Sequence, residues 1–160
     1  MLLAFMPAVC ALYAQDSAKI QKEKQLAAAI KSLIYAKRFK FLAQSATTMS
    51  GVMRQLTDGS NVRVNNDTIV SELPFYGRSF NPTYGSTSES GVEFTSTDFE
   101  YSISEAKKGG WNITIIPKKV RDVSKMFMYV SESGYINLNV SSNTRQTVNY
   151  YGIIQELSSD

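Results

Sequence analysis

The stretch Phe99-Glu100-Tyr101-Ser102-Ile103, followed by Gly109-Gly110 and then by Trp111-Asn112-Ile113-Thr114-Ile115, decides the fold. Apolar and polar residues alternate on both sides of the glycine pair. Alternation with a period of two is typical of a β-strand with one buried face. A glycine pair between two such runs favours a tight turn. This segment therefore predicts an antiparallel hairpin.

The same alternation recurs on both sides of this hairpin. Residues 61–73 predict a second hairpin, with Asn65-Asn66-Asp67 as its turn. Further strands are predicted over residues 92–94, 126–131, 136–140 and 146–154. Because short turns join consecutive strands, we expect them to be antiparallel neighbours.

The chain upstream of residue 38 has a helical pattern instead. It is free of Gly and Pro over residues 17–37, which predicts a helix there. The apolar residues spaced three and four apart are Leu26, Ile30, Leu33 and Ile34. These residues should share one face that packs on the sheet. We expect an α+β fold, mostly β, with the N-terminal helix packed on a curved antiparallel meander or partly closed barrel of about eight strands.

The first 15 residues, MLLAFMPAVCALYAQ, are uncharged and mostly apolar. They predict a secretory signal peptide over residues 1–15, with the cut in the region of Ala14, followed by one β-rich domain over residues 16–160. The expected location is therefore the periplasm or cell envelope. Two alternatives are a lipid anchor on Cys10 and a buried N-terminal helix or strand in a cytosolic protein.

The side chains that most enzymes use for nucleophilic or metal chemistry are scarce. The chain has no histidine, and Cys10 is its one cysteine. Zinc sites of the usual ligand types and Ser-His-Asp or Cys-His catalysis are therefore excluded. Asn65-Asn66-Asp67 lacks the carboxylates of a calcium loop. We expect no metal and no cofactor.

The net charge of +3 at pH 7 is too mild to indicate nucleic acid binding. Residues 16–40 nevertheless carry a cluster of cations against Asp16 and Glu23. These cations are Lys19, Lys22, Lys24, Lys31, Lys37, Arg38 and Lys40. A solvated helix face explains them, and the alternative is a helix that meets an anionic membrane or a cell-wall polymer.

Four motifs occur in a familiar order. They are Leu73-Pro74-Phe75-Tyr76-Gly77-Arg78, Phe99-Glu100-Tyr101, Trp111-Asn112-Ile113, and Asn143-Thr144-Arg145-Gln146 through Tyr150-Tyr151-Gly152. With these motifs the chain resembles the domain of unknown function 4251 family over most of residues 20–155. The resemblance implies a small exported protein of the kind found mainly in gut Bacteroidales, some of them lipoproteins. It implies a β-rich fold and no particular activity.

The loop over residues 73–85, LPFYGRSFNPTYG, is the main candidate binding segment. Loops on a rigid sheet often carry binding residues, and arginine can clamp a carboxylate or a phosphate. The candidate ligand-binding residues are Phe75, Tyr76, Arg78, Phe80, Tyr84 and Arg145. The alternative is structural: the aromatic rings plug an open end of the sheet, and Arg145 pairs with Glu93, Glu100 or backbone carbonyls.

Two further hypotheses concern the sheet itself. Its aromatic residues could line a cavity for an apolar or sugar ligand, although aromatics at strand spacing are more often core. They are Tyr101, Trp111, Tyr129, Tyr135, Tyr150 and Tyr151. A carboxylate pair for hydrolysis would have to come from acids that alternation places on the polar face. These acids are Glu93, Asp98, Glu100 and Glu105.

Together these patterns predict a non-enzymatic envelope protein that binds a small or lipidic ligand or a partner protein. The first alternative is a structural or interaction module that uses its basic helix at an anionic membrane or cell-wall polymer. A hydrolase that depends on carboxylates is the remaining one.

Overall fold

The computed structural model describes residues 8–57, 59–76 and 91–157, with side chains from residue 18 onward. In this part of the chain one helix precedes ten strands of a single antiparallel sheet. The elements are α1 (Ala8–Tyr35), β1 (Arg38–Thr48), β2 (Met53–Gln55), β3 (Asn61–Asn65), β4 (Thr68–Leu73), β5 (Val92–Ser96), β6 (Phe99–Glu105), β7 (Trp111–Pro117), β8 (Lys125–Val130), β9 (Tyr135–Ser141) and β10 (Val148–Glu156). The predicted fold class is confirmed, and the sheet is nearly closed into a barrel.

The sheet has the spatial order β5-β4-β3-β1-β10-β9-β8-β7-β6, and β2 pairs with the second half of β1. Its edge strands β5 and β6 are consecutive in the chain and are joined by Thr97 and Asp98. The carbonyl oxygen of Asp98 accepts hydrogen bonds from Ser96 Oγ at 3.0 Å and from the amide of Lys118 at 2.8 Å. The two edge strands β5 and β6 do not pair with each other, and we call the gap between them the seam of the barrel. The short connection through Thr97 and Asp98 crosses this seam.

The interior of the barrel is apolar because most strands bury every second residue. Ile113 and Ile115 on β7 and Leu138 on β9 are at most 1% exposed. β6 departs from this pattern, since Phe99 and Tyr101 are only half-buried. β6 forms one side of the seam, so one flank of each of its side chains lacks a neighbouring strand.

The residue types at two backbone positions, Asn66 and Gly152, explain local features of this sheet. Asn66 has a φ of 50° in the turn between β3 and β4, a left-handed conformation that asparagine tolerates. The predicted hairpin over residues 61–73 is thereby confirmed. At Gly152 a Cβ would collide with the backbone of Leu42 and Ala43, beside a register shift between β1 and β10. Glycine there permits the close approach of these two strands.

The helix covers one end of the barrel with its last two turns. Ile30 and Ile34 are at most 2% exposed, whereas Leu26 is 46% exposed. The prediction that Leu26 shares the buried face is therefore wrong, because the sheet reaches only the last turns of the helix. The helix also starts earlier than residue 17, at Ala8, and ends at Tyr35, before Lys37 with a φ of 53°.

Two other boundaries differ from the sequence prediction. The turn-rich stretch over residues 49–60 contains the short strand β2, whose three residues are all exposed and give no alternation. The last strand, β10, begins at Val148, two residues later than predicted, and Arg145 precedes it. It lies in the connection between β9 and β10, where the polar residues around it form a turn.

Candidate functional site

The end of the barrel opposite the helix contains a cleft of about 300 Å³. It lies where β4 ends, β5 begins, and β9 connects to β10. Its lining residues are Phe75, Gly91, Val92, Glu93, Phe94, Thr95, Lys119, Val120, Arg121, Asp122, Val123, Val140, Ser142, Arg145 and Val148. Five valines and two phenylalanines form the apolar part of the wall, and five charged residues lie among them. Ligand pockets commonly combine apolar side chains with a few polar groups.

Arg145 is the most enclosed ion-paired charge of the cleft, with only 16% of its side chain exposed. Its Nη2 lies 3.7 Å from a carboxylate oxygen of Asp122, and its Nη1 lies 3.4 Å from the carbonyl oxygen of Gly91. The guanidinium carbon lies 5.0 Å from the centre of the Phe75 ring. A cation over an aromatic face is attracted to it, and the ring holds the guanidinium plane in place.

A short polar turn sets the position of Arg145. Ser142 Oγ accepts hydrogen bonds from the amides of Thr144 and Arg145, both at 3.1 Å. Thr144 Oγ1 in turn donates to Asp122 Oδ1 at 3.0 Å. Serine hydroxyls stabilise turns in this way by binding nearby backbone amides. The turn therefore connects Arg145, through Thr144, to its ion-pair partner Asp122.

Phe75 and Tyr76 follow β4 directly and lie on the same side of the barrel. The carbonyl oxygen of Pro74 accepts a hydrogen bond of 2.7 Å from the hydroxyl of Tyr150. Burial raises the pKa of Tyr150, Tyr76 raises it further, and Arg145 opposes the shift. The Tyr76 ring lies 5.1 Å from the guanidinium carbon of Arg54 and lines a shallower groove that shares Phe75 with the cleft.

The structure thus brings together two of the six candidate residues, Phe75 and Arg145, and places Tyr76 beside them. Arg78, Phe80 and Tyr84 lie outside the described residues. The expected pairing of Arg145 with a backbone carbonyl is confirmed at Gly91. Its ion-pair partner Asp122 was not anticipated, since no sequence pattern relates two residues in different connections of the sheet.

Most of the cleft wall was not predictable from the sequence. Lys119 and Arg121 lie in the connection after Pro117 and line the cleft. The apolar wall comes from Val92, Val140 and Val148, near the ends of three different strands. Only the tertiary arrangement gathers these strand ends, so the sequence carried no signal for this part of the site.

The four acids considered for hydrolysis are all exposed. Glu100, Asp98 and Glu105 form ion pairs with three different lysines, Lys118, Lys119 and Lys31. Hydrogen bonding to Glu100, with its charge and a smaller contribution from Asp98, raises the pKa of Lys118. The carboxylate-pair alternative therefore gains no support from the geometry. Within the described ranges, no three His, Cys, Asp or Glu side chains cluster as a metal site would require.

The aromatic residues considered as cavity lining point in two directions. Trp111 and Tyr150 are buried, whereas Tyr135 and Tyr151 are exposed and stack on each other outside the barrel. Tyr129, which is half-buried, also lies on the outer side of its strand. The hypothesis of one internal aromatic cavity is therefore wrong for these three tyrosines.

Two of the helix-region lysines contact the barrel. Lys31 pairs with Glu105 at 3.5 Å, and Lys37 lies 5.2 Å from the centre of the Tyr101 ring. Lys19, Lys22 and Lys24 are exposed. Over the residues that the structure covers, no helix is both long and apolar enough to traverse a membrane.

Comparison with known proteins gives a family and a fold. A sequence profile for the domain of unknown function DUF4251 matches residues 21–154. A crystal structure of a DUF4251 family protein from Bacteroides eggerthii DSM 20697 superposes with a TM-score of 0.60 at 19% sequence identity. The match covers 84% of this chain and 87% of that chain. No curated protein matches the sequence.

Proposed function

We propose that this chain, which belongs to the domain of unknown function 4251 family, is an exported, non-enzymatic protein that binds a small amphipathic anion in the cleft. The proposal depends on Arg145, a permanently charged side chain that is only 16% exposed and lies in a wall that also contains five valines and two phenylalanines. Such a placement suits a ligand with one anionic group and an apolar body.

Among the contacts of Arg145, the ion pair with Asp122 is long enough to be replaced by a ligand. Charge-assisted N–H···O hydrogen bonds are usually about 2.7–2.9 Å long, and the Asp122 oxygen lies 3.7 Å away. Nearly half of the Asp122 side chain is exposed. An anionic ligand oxygen at shorter distance would compete with this ion pair, and Asp122 would keep its hydrogen bond from Thr144.

The size and the charge of the cleft agree with such a ligand. A volume of about 300 Å³ is at the lower end for ligand pockets and corresponds to about ten water molecules. The charged lining groups are three cations and two acids: Lys119, Arg121, Arg145, Glu93 and Asp122. The remaining wall can bury a short apolar chain, which is favourable by roughly 0.8 kcal/mol for each buried methylene.

Calorimetric titration with decanoate and with decanol tests the proposal. We expect decanoate to bind at least tenfold more tightly than decanol, because only the carboxylate reaches Arg145. Arg145→Met should remove this preference, since a hydrogen bond to a charged group contributes about 1.5–3 kcal/mol. The matched control is Arg63→Met, which removes a half-exposed arginine paired with Glu72 on another strand.

Each outcome of this titration has a clear meaning. Equal binding of decanoate and decanol, or an equal loss of affinity in both variants, would contradict the role of Arg145. Binding of neither probe to the folded protein would remove the small-ligand function. Urea unfolding of both variants checks that each is folded before titration.

The export component rests on the uncharged residues 1–15. N-terminal sequencing of protein recovered from the cell envelope should find a chain that starts near Gln15. An intact Met1 in the cytosol would contradict export. A lipid on Cys10 would place the protein on a membrane surface instead.

The basic-helix alternative has weaker support. Lys31 and Lys37 contact the barrel's own residues Glu105 and Tyr101, which leaves fewer lysines for an anionic surface. If the helix does bind anionic vesicles, this binding should weaken as the salt concentration rises to physiological values.

A further inference from the structure

The outer surface of strands β7 to β10 is almost uncharged. Most side chains there alternate between the interior and the solvent, as the burial of each strand shows. On these four strands, which are described in full, the charged residues are Lys125 and Glu156, and both are exposed. Lys125 lies at the corner where β8 begins, and Glu156 is the last residue of β10. Exposed sheet faces usually carry many charged side chains, so this surface needs a specific explanation.

Aromatic and amide side chains take the places of the charges. The strand register puts Tyr151, Asn137, Tyr129 and Asn112 in one row across the four strands. The next row contains Asn149, Asn139 and Phe127. We call the surface formed by these two rows and Tyr135 the amide–aromatic face. Rings and amides are neighbours on strands that lie about 4.8 Å apart.

The rings on this face are open to solvent. Phe127, Tyr135 and Tyr151 are 37%, 48% and 40% exposed. The rings of Tyr135 and Tyr151 stack with centroids 5.8 Å apart and planes inclined by 14°. This pair therefore presents a rigid, flat apolar platform, and contiguous exposed apolar surface commonly marks a binding site.

The amides are organised as well. Asn139 donates from Nδ2 to Asn149 Oδ1 at 2.7 Å, and Ser141 Oγ donates to Asn139 Oδ1 at 3.3 Å. Each amide offers donors and acceptors without carrying a charge. A partner that covers this face must satisfy both kinds of group, because a buried and unpaired polar group costs about 1–3 kcal/mol.

We infer that the amide–aromatic face binds a neutral polysaccharide. Sugar rings have apolar C–H faces that can stack on Tyr135 and Tyr151, and hydroxyls that both donate to and accept from the asparagine amides. The lack of charge favours a neutral polymer over an anionic one, since Lys125 at one corner and Glu156 at the end of β10 together give no net attraction for an anion. None of these residues lines the cleft, so this site is independent of the proposed anion site.

The competing occupant is a second copy of the chain. Interfaces between identical subunits have a largely apolar core, about 65% of the buried area. The amide–aromatic face instead mixes rings with asparagines: they alternate in the first row, and in the second row two asparagines lie beside Phe127. A polymer rich in hydroxyl groups satisfies these amides without a matching row of amides on the partner, which favours the polysaccharide.

Affinity electrophoresis in gels that contain a soluble polysaccharide tests the inference. The probes are a mixed-linkage β-glucan, a galactomannan and an α-glucan as neutral polymers, with polygalacturonate as the acidic one. We expect at least one neutral polymer to retard the protein, and Tyr151→Ala to weaken this retardation at least fivefold. Asn137→Ala should weaken it in the same direction.

Two matched variants control for indirect effects. Tyr35→Ala removes a tyrosine that is 52% exposed on the helix, and Arg145→Met alters the cleft; both should leave the retardation unchanged. The inference is overturned if no neutral polymer retards the protein or if Tyr35→Ala weakens binding as much as Tyr151→Ala. Analytical ultracentrifugation that finds a dimer dissociated by Tyr151→Ala would assign the face to self-association and also overturn it.

Discussion

Each end of the barrel has a hydrogen bond from a tyrosine hydroxyl to a backbone carbonyl and a cation over an aromatic ring, but the two ends differ in how tightly they are packed. At the helix end the Tyr101 hydroxyl donates to the carbonyl oxygen of Ile34, and Lys37 lies over the Tyr101 ring. At the cleft end the Tyr150 hydroxyl donates to the carbonyl oxygen of Pro74, and a cation again lies over an aromatic ring.

What differs is the packing. At the helix end, buried isoleucines from α1 fill the space above the core, with Ile34 fully buried. At the cleft end the described residues leave a cleft of about 300 Å³ with an enclosed arginine in its wall. The comparison indicates that the helix end contributes more to stability than the less tightly packed cleft end.

The largest effect is expected at the helix end. Ile34→Ala should lower the free energy of unfolding by about 3 kcal/mol, because it removes buried methyl groups and leaves a cavity. Ile20→Ala on the same helix is the control, since Ile20 is 51% exposed and should change stability by less than about 0.5 kcal/mol. Urea unfolding at equilibrium measures both. Similar losses in the two variants would show that the helix does not close this end as described.

The two tyrosine hydroxyls allow a direct comparison of the ends. Tyr150→Phe should cost about 2 kcal/mol and Tyr101→Phe about 0.5–1 kcal/mol in the free energy of unfolding. Tyr150 is 1% exposed, and its loss leaves the Pro74 carbonyl without this donor. The Ile34 carbonyl keeps a bond of 3.2 Å from the amide of Lys37. Urea unfolding measures both losses. A larger loss in Tyr101→Phe than in Tyr150→Phe would argue against these hydrogen-bond partners.

The last comparison of the two tyrosines concerns alkaline pH. Burial raises the pKa of both Tyr101 and Tyr150 in the folded state. A raised pKa gives stability that is present below the unfolded value of about 10 and is lost as pH rises beyond it, because the unfolded chain ionises first. We expect the free energy of unfolding to fall by about 1 kcal/mol for each tyrosine at pH 11. In a double variant with phenylalanine at both positions, this part of the fall in the free energy of unfolding above pH 10 should be absent. If the double variant shows the same fall as the unmodified protein, the two buried tyrosines are not its cause.

Much of the fold could be predicted from local patterns. The hairpin over residues 61–73 follows from two alternating runs around Asn65-Asn66-Asp67, and the structure pairs them as β3 and β4. β2 escaped prediction because all three of its residues are exposed, so burial leaves no pattern in the sequence. Leu26 was misplaced because helical spacing gives a common face but not the length of helix that the sheet contacts.

The candidate site was only partly predictable. Phe75 and Arg145 could be singled out as residue types suited to binding, yet 69 positions separate them in the sequence. Their contact depends on the barrel, which brings the end of β4 beside the connection before β10. Asp122, which comes from another connection, had no local signal at all.

By itself the sequence determined the class of fold and the chemistry that is absent. Period-two alternation requires strands with one buried side, and a chain without histidine cannot use histidine chemistry. The tertiary structure decided which side of each strand faces inward where the alternation is ambiguous. Tyr150 and Tyr151 are adjacent and identical, yet one is buried in the barrel and the other stacks outside it. The pairing of β10 with β1 and β9 determines which of the two tyrosines faces the core. This pairing depends on how the sheet closes and is not encoded in the two adjacent residues.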